Sequence, residues 1–585
     1  MESLPSPVVY EVGYSDHSFE EISDTLPKEK AKYILNYPTV YLINDTTKQG
    51  KFSIYIGEST DIKRRTDEHL HGDIQKNNNW KNFASSETSK MFVIGHSHFN
   101  KSLTLDIENK LMQYMTSVDA VRYIFNRRLN QQNEYYTSDE LDDIFSKIWQ
   151  KLHRKNKTLF PAESIIRDSA LFKASPFNKL KEEQLEAKDK ILMKIEEALN
   201  RDKMGQLILV EGEAGTGKTV LMSSLFYELK QISGEEESNV LLNQISCHLL
   251  VNHKEQLKVY QQIAKKLGLI EKKKQSDIVS NPTSFINNHD PEEKVDVVIV
   301  DEAHLLWTQG KQSYQGKNQL EDILARARVV VAVFDRNQIL SREQYWEEKQ
   351  LLQMVHEANL KDNYIELQNQ LRINANQQTI NWIREIIDKQ EVQNIPKDNN
   401  YDLKVFNTVE KMYEAIKEKA KNEDYGISRI LATFDWEYND NNRPKDEDYW
   451  SVKIGNWSLP WNLQLKPYNP REIKSKDLSW AEQAQTINEV GSTFTIQGFD
   501  LNYAAVIIGP SVQYRNGQIV FDKSASKNNK AVYRRKVNNE MRDVSKSLLN
   551  NELNVLLTRG VNGLYIYAVD PELQEALIKA QKGEL

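Results

Sequence analysis

The segment 206–221, QLILVEGEAGTGKTVL, constrains the fold more than any other part of the chain. An apolar run turns through a glycine-rich loop into the helical pattern TVLMSSLFYELK. The loop matches G-x-x-x-x-G-K-[ST] with Gly212, Gly217, Lys218 and Thr219. Gly212, Gly215 and Gly217 let backbone N–H groups converge on one point, and the following helix adds the positive end of its dipole. Such a nest takes phosphate. Lys218 is placed to neutralise β- and γ-phosphate charge, and the Thr219 hydroxyl to reach Mg²⁺. A phosphate loop of this kind hangs from a buried parallel strand, so the rest of the chain must supply the sheet.

It does so in VDVVIVDEA (295–303), RVVVAVFD (328–335), SRILATFDW (428–436), YAAVIIGP (503–510) and LYIYAVD (564–570). Continuous apolar strands separated by helical stretches predict an α/β fold with two doubly wound parallel-sheet lobes, placed at 181–355 and 356–585. Residues 1–150 hold a separate cluster of motifs, joined to the lobes by an ordered junction at 151–180. Apolar runs such as VVVAVF are far below the ~18 residues that span a bilayer. The N-terminus MESLPSPVVYEVGYSDHSFEE lacks the basic start and apolar core of a secretory signal. Cys247 is the only cysteine, which excludes a disulfide frame and a cysteine-based metal site. A cytoplasmic protein with no membrane partner is expected. The net charge of −7 argues against a passive basic coat for nucleic acid. The basic stretch 522–546 suits either a solvated loop or a phosphate-backbone contact.

VDVVIVDEAH puts Asp301 and Glu302 at a strand end, Asp301 to hold Mg²⁺ and Glu302 to orient an attacking water. Beyond them the chain resembles the superfamily 1 helicases. VVAVFDRNQIL is similar to their motif III, with Asp335 and Gln338 near the γ-phosphate, and ELQNQLR to motif IV, ending in Arg372. TFTIQGFDLNYAAVIIG is similar to motif V, with Gln497, Gly498 and Asp500, and LNVLLTRGVNGLYIYA to motif VI, with Arg559. Gln184 in LKEEQ resembles an adenine-reading glutamine. The likeness covers about residues 175–585 and is nearest to a P-loop family grouped with the Schlafen-type DNA/RNA helicases. It implies two RecA-like lobes using ATP, with Arg372 and Arg559 entering the nucleotide site from the second lobe. An inserted arginine contributes ~10³–10⁵ in rate, so hydrolysis would couple to lobe closure. Two departures stand out. Phe334 replaces the usual glycine before Asp335, and the short stretch from Thr219 to Asp301 leaves little room for a large inserted subdomain. No motif Ia is placed within LLNQISCHLLVNHKEQL (241–257).

Near the N-terminus, PTVYLI (38–43) and FSIYIG (52–57) flank a turn-rich NDTTKQGK and read as a β-hairpin. STDIKRRTDEHL follows as a helix, with Ser59 or Thr60 as its cap and Arg65 and His69 on one face. This resembles the GIY-YIG nuclease core, a small α+β domain. Tyr41 stands for the first tyrosine, in Thr39-Val40-Tyr41 rather than Gly-Ile-Tyr, and Tyr55-Ile56-Gly57, Arg65 and His69 follow. The family's metal-binding glutamate falls on Glu108, in a helix whose apolar stripe is Leu105, Leu111, Met112 and Met115. A lone buried carboxylate costs several kcal/mol. It therefore wants a cation, a basic partner such as Arg65, or an escape to the edge of the stripe. The resemblance implies phosphodiester hydrolysis. Arg65 would stabilise phosphate charge, Glu108 would hold one Mg²⁺ or Mn²⁺, Tyr41 and Tyr55 would position or activate water, and His69 would transfer a proton. Asn126 resembles the family's later asparagine.

His96 and His98 in GHSHF suit a strand or turn better than zinc. The tryptophans near 448–462 suit either base stacking or core packing. The expectation is an ATP-dependent endonuclease, a metal-dependent cutter fused to a helicase-like motor. DNA is the favoured substrate and RNA the alternative, and an ATP-gated switch is the alternative to translocation. Foreign-DNA defence in prokaryotes is suggested by association, and a homo-oligomer or partner defence proteins are left open.

Overall fold

The computed structural model describes residues 4–47, 49–73, 78–125, 134–234, 242–270, 278–311, 314–421, 426–467, 478–537 and 540–585. They fall into two compact units. One takes residues 1–181 with 220–244 and 259–278, and the other 182–219, 245–258 and 279–585. No described helix is long and apolar enough to cross a membrane.

The first unit is built on a sheet ordered β1-β4-β2-β3-β5. Its strands are β1 (Val8–Gly13), β2 (Thr39–Thr46), β3 (Phe52–Ser59), β4 (Lys90–Gly95) and β5 (Val121–Ile124). All neighbours are antiparallel except β5, which runs parallel to β3. The first six residues of β2 are buried, as a central strand covered on both faces requires. The β2–β3 hairpin pairs Tyr41 with Gly57 and Ile43 with Tyr55. Ile62–Asp67 then forms a helical turn that widens into a π-helical turn over Glu68–Gly72. The cap falls on Asp61, whose carboxylate accepts from Arg64 N, rather than on Ser59 or Thr60. Ser59 Oγ instead accepts from Asp61 N at 3.0 Å, which turns the chain into the helix.

The helix Lys101–Thr116 is capped by Asn100, which accepts from Leu103 N, and it packs on β3. It carries Glu108 among the fully buried Leu103, Ile107, Leu111, Met112 and Met115. Beyond its last turn the Lys266 ammonium donates to Thr116 O and Val118 O, both at 2.8 Å. A cation there complements the helix dipole. Burial pushes the Lys266 ammonium down to about 8.

The second unit carries two parallel sheets, so the chain is a mixed α/β protein. One is ordered β11-β6-β10-β9-β7-β8. Its strands are β6 (Gln206–Gly212), β7 (Cys247–Val251), β8 (Val279–Ser280), β9 (Val295–Asp301), β10 (Ala327–Phe334) and β11 (Tyr364–Leu367). β11 pairs with β6, so this sheet runs past residue 355, where the sequence pattern placed the end of the lobe. Phe334 closes β10 and stands edge-on to His304 and Trp346, which explains an aromatic ring at a position expected to be glycine. The other sheet joins strands Asp402–Val405, Gly560–Ala568, Leu501–Ile508, Ser428–Ala432 and Val490–Gly491, in that spatial order. Ala531, Val544, Leu548 and Leu549 of the second lobe lie within the apolar core of the first.

Candidate active sites

In the first unit, β2, β3 and the turn after Asp61 bring four of the expected side chains together. Tyr41 is 1% exposed, and its hydroxyl lies 2.9 Å from His69 Nε2. His69 is fully buried, and its Nδ1 lies 2.8 Å from Asp73 Oδ2. The positive charge of Arg65 is felt by both Tyr41 and Tyr55, and its guanidinium is steadied by Glu68 at 3.0 Å. Gly57 is explained by contact, since a Cβ there would meet Tyr41 Cζ and Oη at 2.5 Å. Glu108 is 8% exposed, and its negative charge is felt by both phenols. Burial above all pushes Tyr41 and Tyr55 up from their ordinary range, and Arg65 pulls them partly back. Burial, with Arg65 beside it, pushes His69 down to about 4 against the pull of Asp73, so its ring is neutral near pH 7. Among the described residues no group of three or more His, Cys, Asp or Glu could cage a metal. One buried carboxylate suits a hard cation that keeps water and phosphate oxygens as its other ligands, as Mg²⁺ or Mn²⁺ does.

In the second unit the loop after β6 is held closed. Lys218 Nζ donates to Gly212 O at 2.6 Å and Glu213 O at 2.7 Å, and it pairs with Asp335 at 3.3 Å. Burial raises the Asp335 carboxyl, but Lys218, His304 and Gln338 outweigh it and hold the group below its usual range. Gln338 Nε2 donates to Asp335 at 2.6 Å, and Arg559 Nη2 donates to Gln338 Oε1 at 2.8 Å. An unbroken polar chain therefore links the phosphate-loop lysine to the second lobe. Arg559 is 1% exposed, and burial together with neighbouring Arg372 brings it down to about 10. Arg372 pairs with Asp500 at 2.6 Å. Its Cβ passes so near Gly215 that a Cβ on the glycine would lie 2.7 Å away. Glu302 takes a left-handed conformation (φ 53°), which aims it at His304, 3.2 Å away. Gln497 donates to Gln338 O at 3.3 Å.

The other groups singled out in the sequence are placed as follows. Gln184 Nε2 donates to Thr216 O at 3.1 Å, so the side chain braces the phosphate loop itself. Arg535, in the basic stretch, is 9% exposed and donates to Arg342 O and Thr308 Oγ1 at 2.8 Å, so it pins one lobe to the other instead of meeting solvent. His96 and His98 bond Pro5 O at 2.9 Å and Glu140 at 2.6 Å. Trp457 and Trp461 belong to the second lobe's core. Asn126 lies outside the described residues.

Four residues escaped the sequence reading. Asp73 and Trp80 complete the His69 surroundings, with Trp80 stacked at 3.6 Å. Tyr14 is buried beside Tyr55 and Asp73, with no hydrogen-bond partner for its hydroxyl among the described residues. Gln256 donates to Thr219 Oγ1 at 3.3 Å and Asp301 Oδ2 at 2.7 Å, and its buried Oε1 has no partner among the described residues and lies close to Gly498. A hydroxyl and a carboxylate held side by side fit Mg²⁺. Gln256 sits in the stretch where no motif Ia was placed. Only Asp73 had a sequence signal, four residues beyond His69 on one helical face.

The family of Schlafen group 3, DNA/RNA helicase domain, matches residues 205–570, and the chain belongs to that family. It is 37% identical over 405 residues to the uncharacterized protein YPL245W of Saccharomyces cerevisiae, covering 64% of this chain and 84% of that one. It also resembles the Pif1 helicase of Candida albicans, at 11% identity and a TM-score of 0.18. That match covers 41% of this chain, and the chain spans about half (54%) of the Pif1 chain.

Proposed function

We propose that this protein is a nucleic-acid-stimulated ATPase joined to a metal-dependent phosphodiesterase. One observation carries the ATPase reading: the buried chain Lys218–Asp335–Gln338–Arg559, which spans both lobes. ATP entering the loop must draw Lys218 from its carbonyls, and Asp335 and Gln338 pass that change to Arg559. Thr219 and Asp301 would hold Mg²⁺, which would supply neutralisation of phosphate charge. Glu302 orients water, and Arg372 with Arg559 stabilises the transferring phosphoryl group. Gly212, Gly215 and Gly217 shape the cradle, and Gly498 and Asp500 fix its far side.

The cutting reading is carried by the convergence of Tyr41, Tyr55, Arg65, His69 and Glu108 in one cluster, of which Tyr41, His69 and Glu108 are buried. Arg65 would meet the scissile phosphate, Glu108 would hold a cation that supplies its polarisation, and the phenols would position water. The pairing suits restriction of foreign nucleic acid or its processing. The family's description spans both DNA and RNA, and competition between the two for stimulating ATP turnover identifies the substrate.

A second reading makes ATP a gate rather than a fuel, and the buried Arg535 pin between the lobes favours it. Counting ATP hydrolysed per nucleic-acid-bound chain separates them, with many for a motor and about one for a gate. The combined proposal is tested by following Mg²⁺-dependent cleavage and ATP turnover on single-stranded DNA and RNA. Neither activity on either polymer would refute it.

A further inference from the structure

We propose that Asp73 is a positioning residue of the N-terminal site, whose carboxylate fixes the His69 ring so that Nε2 faces Tyr41 as a proton acceptor. The inference rests on the phosphodiesterase reading above. Both ring nitrogens are engaged, Nε2 with the Tyr41 hydroxyl at 2.9 Å and Nδ1 with Asp73 Oδ2 at 2.8 Å. A carboxylate only accepts, so its partner nitrogen carries the proton and the other keeps its lone pair for the phenol. The ring cannot turn to exchange these roles. It is fully buried, and Trp80 lies on it at 3.6 Å and 14°.

The chemistry follows from that tautomer. A water oxygen bonds to phosphorus as the bond to the leaving oxygen breaks. The water proton passes to the Tyr41 oxygen while the phenolic proton moves to His69 Nε2, and the leaving oxygen takes a proton from solvent. His69 thereby gains one positive charge in the buried cluster, and Asp73 compensates it across the Nδ1–H bond. Among the described residues, the other charges facing Asp73 are Arg65 at 3.8 Å and, through Arg65, Glu68. Asp73 also ends the π-helical turn, with its N–H on Glu68 O, so a purely structural role is the competing account.

The test uses the full chain carrying Asp73→Ala, alone and with His69→Ala, with ATP turnover as the control that the chain is intact. Cleavage kcat falls about 10²-fold with KM unchanged, and Asp73→Ala costs nothing further once His69 is gone. Nitrogen-15 spectra of the histidines, with His69→Asn to assign the signal, show Nε2 unprotonated in the wild type and a shift toward Nε2–H in Asp73→Ala. An unchanged nitrogen signal overturns the proposal. So does cleavage within about twofold of wild type, or a full additive loss in the double variant. If the wild type cuts nothing, the phosphodiesterase reading fails, and the nitrogen spectra still decide what Asp73 does to the ring.

Discussion

Gly57→Ala tests the N-terminal cluster with a single methyl group. Gly57 lies opposite Tyr41 in the hairpin, and the added Cβ would stand 2.5 Å from Cζ and Oη of the phenol. Carbon atoms settle near 3.5–4.0 Å, so the ring must retreat by roughly 1 Å. Tyr41 is 1% exposed in a filled core and cannot swing into solvent. Overpacking of this kind costs about 1–3 kcal/mol. The retreat also lengthens the 2.9 Å bond to His69 Nε2 beyond hydrogen-bond reach. A misplacement of about 1 Å costs roughly 10²-fold in rate. The assay is the initial rate of Mg²⁺-dependent cleavage, with a thermal melt to confirm folding and ATP turnover as internal control. A fall of about 10²-fold with ATP turnover unchanged is expected. Cleavage within about twofold of wild type, in a folded protein, would refute the claim that Tyr41 acts from this position.

Two further outcomes follow from the second unit. Glu552 is 1% exposed, and burial, then the neighbouring Asp435, pushes its carboxyl up to about 8. A folded value above the unfolded one means that its contribution is full below about 4.5 and is lost as pH rises through about 8. Glu552→Gln keeps an acceptor for Phe434 N, so it should stabilise the chain by on the order of 1–3 kcal/mol at pH 9 and little at pH 5, measured by denaturant melts. Gln256→Leu removes the bonds to Thr219 and Asp301. It should lower ATPase kcat about 10-fold while a fluorescent ADP binds as before in EDTA. Weakened binding in EDTA would assign Gln256 to the nucleotide instead of the metal side.

The phosphate loop and five apolar strands were legible because each lies in a short contiguous run with one physical job. β1 and β11 were not, since VVYEVG and YIEL are too short and mixed to separate from loops by pattern alone. The same divide runs through the sites. Tyr41, Arg65 and His69 stand out by spacing, whereas Tyr14 reaches the cluster from the bend after β1, far away in the sequence. Gln256 meets the Thr219 and Asp301 oxygens only because β7 lies beside β9, a pairing that no local pattern encodes. Arg535 shows a role outside both readings that its basic stretch allowed. A run of cations suits a solvated loop or a phosphate contact, and the fold instead occupies the Arg535 guanidinium with backbone carbonyls of the other lobe.

The central claim is that one chain holds two separable chemistries, and the most direct measurement compares Glu108→Ala with Lys218→Ala on nucleic acid with Mg²⁺ and ATP. Glu108→Ala should stop cleavage while ATP turnover continues, and Lys218→Ala should stop ATP turnover. Cleavage at the wild-type rate by Glu108→Ala would contradict the metal assignment, and ATP turnover by Lys218→Ala would contradict the phosphate cradle.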